Sequence, residues 1–129
     1  MNGGVLLDTH IVLWLRTEPG KLTAGERRII DTTPQRFISS VTFWEFGILL
    51  GLRRIATHPH LFDTPEGYET LAISPMHCKA LATLPQRHRD PLDRMLIAQA
   101  QSERLPLLTR DRRLVDYVAE ATILRFPEA

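Results

Sequence analysis

The chain has 129 residues, 43% of them hydrophobic and 24% charged, with a formal net charge of +1. These values describe one folded domain spanning residues 1–129 with a real core, and they exclude a disordered chain. No apolar run is long enough to span a bilayer, so membrane association is not expected.

The N-terminal Met1-Asn2-Gly3-Gly4 carries no basic region, and Asp8 interrupts the apolar stretch after it, so no secretory leader is expected. A single cysteine, Cys78, permits no internal disulfide, which fits a reducing cytoplasm. The small net charge predicts no strong whole-molecule attraction for nucleic acid. Lys21 and Lys79 are the only lysines; the other basic residues are arginines, grouped at Arg53-Arg54, Arg87-His88-Arg89 and Arg110-Asp111-Arg112-Arg113. Arginine suits bidentate phosphate contacts, although a solvated arginine surface accounts for the same composition.

In chain order, Val5-Leu6-Leu7 reads as a buried strand closed by Asp8, and Ile11 to Leu15 as a helix ending before Pro19-Gly20. Thr23-Ala24-Gly25-Glu26 matches a capping box that opens a second helix. Arg36 to Ser39 reads as a strand, and a long helix starts near Ser40 and carries Trp44, Ile48 and Leu52. Thr64-Pro65 and Ser74-Pro75 each place a capping residue before a proline suited to a first helical position, with Leu71-Ala72-Ile73 as a third strand between them. Asp90-Pro91 opens a helix bearing Leu92, Met95, Leu96 and Ala100 on one face. Leu105 to Thr109 reads as a fourth strand, Leu114 to Val118 as a short helix and Ile123 to Phe126 as a last strand. Alternating strands and helices predict a parallel sheet covered on both faces.

In such a sheet, ligands bind at the carboxyl edge of the strands. Asp8 directly follows the first strand, and Asp111 stands two residues beyond the fourth. Glu45 and Asp93 lie in early turns of helices that open toward the same edge. Four converging carboxylates repel one another unless a divalent cation joins them. Mg²⁺ takes oxygen ligands and keeps several waters, so a few acids suffice to hold it. Each acid also has a structural role open to it. Asp8 could end a strand, Glu45 could close a Thr42-Phe43-Trp44-Glu45 capping box, Asp93 could favour a helix dipole and Asp111 could cap a short helix. Their shared edge favours a site.

Four stretches carry a resemblance: Leu6-Leu7-Asp8-Thr9-His10; Ser39 to Phe46; His88-Arg89-Asp90-Pro91-Leu92-Asp93-Arg94 on to Ala100; and Leu105 to Asp111. In this order they resemble the PIN-domain ribonucleases, especially the VapC toxins of bacterial toxin–antitoxin pairs. The resemblance implies a PIN-like three-layer α/β/α sandwich with a mostly parallel sheet of about five strands. It implies an Mg²⁺- or Mn²⁺-dependent endoribonuclease that cuts a structured RNA such as a tRNA or rRNA, with Asp8, Glu45, Asp93 and Asp111 as catalytic and metal-holding residues. Asp90, Thr9 and Thr109 take supporting positions, and Arg94, Arg110 and Arg112 are placed to hold phosphate.

The resemblance also implies a homodimer and a VapB-like antitoxin partner. Phe43, Trp44, Phe46, Ile48, Leu49 and Leu50 make their helix apolar on nearly every side, which offers a candidate interface, with burial of both faces inside the domain as the rival. Two other function classes compete with the ribonuclease reading. One is a catalytically silent scaffold that binds RNA or protein, against which the intact acid set counts. The other is a phosphatase using strand-end acids, but a haloacid-dehalogenase-type enzyme expects an Asp where His10 stands. The pairs His58/His60 and His77/Cys78 lack the spacing of a zinc site, and nothing nominates a base for a nucleophilic Cys78.

Overall fold

The computed structural model describes residues 3–128; Met1, Asn2 and Ala129 lie outside the described residues, so the expectation resting on the first two is left there. Five strands form one parallel sheet in the order β3-β2-β1-β4-β5, where β1 is Gly4–Leu7, β2 Gln35–Ser39, β3 Tyr68–Leu71, β4 Leu107–Leu108 and β5 Ile123–Leu124. The helices are α1 (Thr9–Thr17), α2 (Ala24–Thr32), α3 (Ser40–Gly51), α4 (Pro75–Thr83) and α5 (Pro91–Glu103), with 3-10 turns at Pro19–Lys21 and Arg112–Tyr117. Among the described residues, no helix is long and apolar enough to cross a membrane.

The layers follow from the two-residue period of β1. Val5 and Leu7 join Ile11, Val12, Ile30, Ile38 and Phe46 in one core, built with α1, α2 and α3. Leu6 faces the other way and packs with Leu96, Ile97, Leu107, Leu114 and Tyr117. Helix α5 is buried on nearly every side from Asp93 to Ala100, because it lies against the sheet and against α3 and α4 at once. Such burial explains why its apolar residues do not keep to one stripe.

Local signals place most helix starts. Thr23 and Glu26 form a reciprocal capping box, Ser74 and His77 form another with Pro75 at the first turn, and Asp90 caps α5 through the Leu92 N–H at 2.9 Å. Five expectations are corrected. Thr64-Pro65 opens no helix: the Tyr68 N–H donates to the Pro65 carbonyl at 3.1 Å, closing a turn, and Gly67 takes a positive φ of 86°. The third strand runs from Tyr68 to Leu71 rather than from Leu71 to Ile73, and its end is set by its partner β2, which stops at Ser39 to become the cap of α3. Strand β4 is only two residues long, since the Leu105 N–H is spent on the Ala100 carbonyl at the end of α5. β5 is also short, Ile123–Leu124 rather than Ile123 to Phe126, and the helix expected before it from Leu114 to Val118 is a 3-10 turn from Arg112 to Tyr117.

Candidate active site

Chain direction brings the acids together. All five strands are parallel, so the ends of β1, β2 and β4 and the starts of α1, α3 and α5 share one edge. Two buried hydrogen bonds fix Asp8: the Thr109 hydroxyl donates to Oδ2 at 2.6 Å, and the Thr9 N–H donates to Oδ1 at 2.8 Å. The Thr9 hydroxyl in turn lies 3.2 Å from that of Thr42 on α3. Both threonines expected in support are therefore at Asp8. Burial pushes the Asp8 carboxyl above its ordinary range, against the lowering effect of those bonds.

Glu45 is not a capping residue. Ser39 caps α3 by accepting from the Val41 N–H at 3.0 Å, which leaves Glu45 in the second turn, beyond reach of the helix start. Its pKa is raised by burial first and then by Asp90 and Asp8. Glu45 Oε1 is buried and has no hydrogen-bond partner. On α5, Asp93 is 8% exposed, and its carboxyl is pushed up to about 7 by burial, with repulsion from Asp8, Asp90 and Glu45 adding to it. These mutual effects put Asp8, Glu45, Asp90 and Asp93 within electrostatic range of one another.

Asp111 behaves differently. Arg113 grips its carboxylate with Nε at 3.1 Å and Nη2 at 2.8 Å, and these bonds hold its pKa below the ordinary range. It also caps the 3-10 turn that follows, so the structural role open to it is present as well. One ligand atom each from His88, Asp93 and Asp111 lie within 4.8 Å of one another.

His88 escaped sequence reasoning as a site residue. Its Nε2 is 2.9 Å from Asp93 Oδ2, and the only signal was its place at the head of the His-Arg-Asp-Pro-Leu-Asp stretch. A buried polar chain also ties the acid-bearing helices together: Ser39 Oγ donates to Gln99 Oε1 at 2.6 Å, joining the cap of α3 to the middle of α5. Of the three arginines expected at phosphate, two are otherwise engaged. Arg94 is buried and donates to the Leu84 carbonyl at 2.9 Å. Arg110 pairs with buried Glu26 and lies over the Trp14 ring, 4.2 Å from its centroid. Arg112 is exposed beside Asp111.

The donor set fits a hard divalent cation. It supplies carboxylate oxygens from several elements, one of them buried without a partner, and three of the acids are raised toward protonation by burial, with neighbouring acids adding to it. A small hollow of about 260 Å³ opens over Asp8 and Asp111, with His10, Trp14 and Arg110 as its other walls.

Residues 5–120 match the PIN domain, and the chain belongs to that family. Ribonuclease VapC22 of Mycobacterium tuberculosis (strain ATCC 25618 / H37Rv) is 29% identical over 115 residues, covering 85% of this chain and 88% of that protein. Among solved structures, VapBC-5 from Mycobacterium tuberculosis, described as a member of the VapBC family of toxin-antitoxin systems, superposes with a TM-score of 0.69 at 19% identity, over 96% of this chain and 99% of the other. VapBC2 from Rickettsia felis, bound to a DNA fragment from its promoter, gives a TM-score of 0.70 at 12% identity, over 95% and 98%. Both structural likenesses are likenesses of fold.

Proposed function

We propose that this protein is a divalent-metal-dependent endoribonuclease, the toxin of a VapBC-type pair, that cuts a structured RNA such as a tRNA or rRNA. The observation that carries the reading is the convergence of Asp8, Glu45 and Asp93, three carboxyl groups raised together by burial and one another, with Asp111 beside them. The family match and the ribonuclease relative support it.

Asp8, Glu45, Asp93 and Asp111 would hold Mg²⁺ or Mn²⁺. Once bound, such a cation supplies Lewis-acid polarisation of a phosphodiester and eases deprotonation of an attacking water. The chain's own residues do the rest. Thr109 and Thr9 orient Asp8, His88 orients Asp93, and the Ser39–Gln99 bond keeps the helices carrying Glu45 and Asp93 in register. Asp90 holds the first turn of α5 and adds negative charge without turning its capping oxygen inward. Arg112 is the arginine of the expected set that remains exposed to meet phosphate.

A protein partner has a surface of its own. Phe46 is fully buried, and Phe43 and Leu50 pack on the core, so most of the apolar excess of α3 is absorbed inside the domain. Trp44, Ile48 and Leu52 are left exposed at a four-residue spacing, a stripe along one helix face. This stripe is the face for a second copy of the chain and for the apolar segment of an antitoxin, in keeping with the toxin-antitoxin complexes among the structural neighbours.

The deciding experiment is cleavage of total cellular RNA by purified protein with Mg²⁺, Mn²⁺ or EDTA, comparing wild type with Asp8→Asn and Asp93→Asn. Discrete, metal-dependent cuts lost in both variants are expected. Cleavage that survives both substitutions would place the chemistry elsewhere, and absence of cutting and of metal binding would leave a scaffold.

A further inference from the structure

We propose that the cleft along the outer face of α1 is a stacking subsite for a single-stranded segment of the RNA, leading away from the phosphate at the acid cluster; this rests on the ribonuclease reading above. The cleft encloses about 530 Å³, the largest of the hollows described, between α1 and the chain that follows α3. His10, Trp14 and Lys21 line it from one side, and Arg54 and His58 from the other. His10 and Trp14 also wall the smaller hollow over Asp8 and Asp111, so the two hollows share these residues. Since α1 begins directly after Asp8, a strand whose phosphate lies at the acids passes His10 and Trp14 next.

The lining has the composition of a single-strand site: aromatic rings for base faces and cations for the backbone. The rings of His10 and Trp14 stand 5.9 Å apart at a 48° tilt. Arg54 is exposed and enters no ion pair among the described residues. Glu18 is the one acid on the wall, and Lys21 neutralises it at 3.4 Å. Leu13, Ile55 and Ala56 complete the wall between these groups, and the exposed apolar side chains of α3 lie in a separate stripe at Trp44, Ile48 and Leu52. From His10 to Thr17 the helix wall runs about 10 Å, room for a short run of nucleotides.

Two tryptophans make the test direct. In Trp44→Phe protein, Trp14 is the sole tryptophan; in Trp14→Phe protein, Trp44 is. Each, in an Asp8→Asn background with Mg²⁺, is titrated with a short fluorescein-labelled single-stranded RNA spanning the mapped cut. Quenching is expected for Trp14, saturating together with the RNA anisotropy, and no change for Trp44. With Asp8 intact, the exposed-residue variants Lys21→Ala and Arg54→Ala should each raise KM roughly tenfold with kcat held within about twofold, the scale of losing one phosphate contact.

RNA binding without a change in Trp14 emission, together with wild-type KM in both variants, would overturn the subsite while leaving the ribonuclease reading in place. Wild-type KM combined with loss of inhibition by the antitoxin would make the cleft a protein groove, which also overturns it. Failure of the wild type to cut any RNA would instead remove the reading on which the subsite rests.

Discussion

Burial holds the Asp93 carboxyl at a pKa of about 7 in the fold, whereas in the unfolded chain it titrates near its ordinary 3.8. Between those limits the folded state binds more protons than the unfolded one, so stability falls as pH rises through the window. In EDTA, the melting temperature should therefore decline from about pH 4 to about pH 8, and Asp93→Asn should flatten the decline. Adding Mn²⁺ should reverse the order, with the larger gain at the higher pH, because the cation binds the ionised carboxylates and displaces their protons. Thermal melts across pH with and without metal check both statements. His88 belongs to the same argument: its imidazole holds one oxygen of Asp93 at 2.9 Å. His88→Ala should weaken divalent-cation binding by about tenfold to a hundredfold, as read by calorimetry, and His88→Asn should recover part of the loss.

Glu26 shows how one residue can serve two elements. It closes the capping box of α2 by accepting from the Thr23 N–H at 2.8 Å, and both of its oxygens also take Arg110, at 2.9 Å from Nε and 2.6 Å from Nη2. Arg110 reaches on to the Lys21 carbonyl at 2.7 Å, while its own carbonyl accepts from Arg125 Nε at 3.0 Å. The loop bearing Asp111 is thus fastened to α2 and to the end of the chain beyond β5. Glu26 is fully buried, so its removal leaves a guanidinium without its counter-charge. Glu26→Ala should cost about 3 kcal/mol in urea unfolding. The capping motif was readable because both partners are three residues apart; the ion pair was not, because Glu26 and Arg110 meet only across the fold.

At the scale of the whole molecule, α3 leaves an apolar stripe uncovered: Trp44 is 61% exposed, Ile48 41% and Leu52 58%, while the other exposed apolar side chains, Phe62, Met76 and Val118 among them, lie on other segments. The double variant Trp44→Glu, Ile48→Glu should keep its circular dichroism spectrum and its melting temperature within a few degrees, since neither side chain is buried. It should sediment as a monomer at concentrations where the wild type sediments as a dimer, and it should lose co-purification with the antitoxin. A double variant that keeps the wild-type sedimentation and still co-purifies with its partner would move the interface off this face.

Local chemistry was enough to determine most helix starts, the strand order along the chain and the identity of the acids. A Ser, Thr or Asp cap acts within one turn, and an apolar run needs no distant partner to read as buried. The four motif stretches likewise carried Asp8, Glu45, Asp93 and Asp111 by position alone. Tertiary structure decided what those residues touch. It set the end of β3 at Leu71 through pairing with β2, drew Arg94 into the interior against Leu84, turned Arg110 to Glu26, and set His88 on Asp93. It also divided α3 between a buried side at Phe46 and an open one at Trp44. These outcomes depend on which surfaces remain after the sheet has been covered, and that is settled by packing between segments remote in the chain.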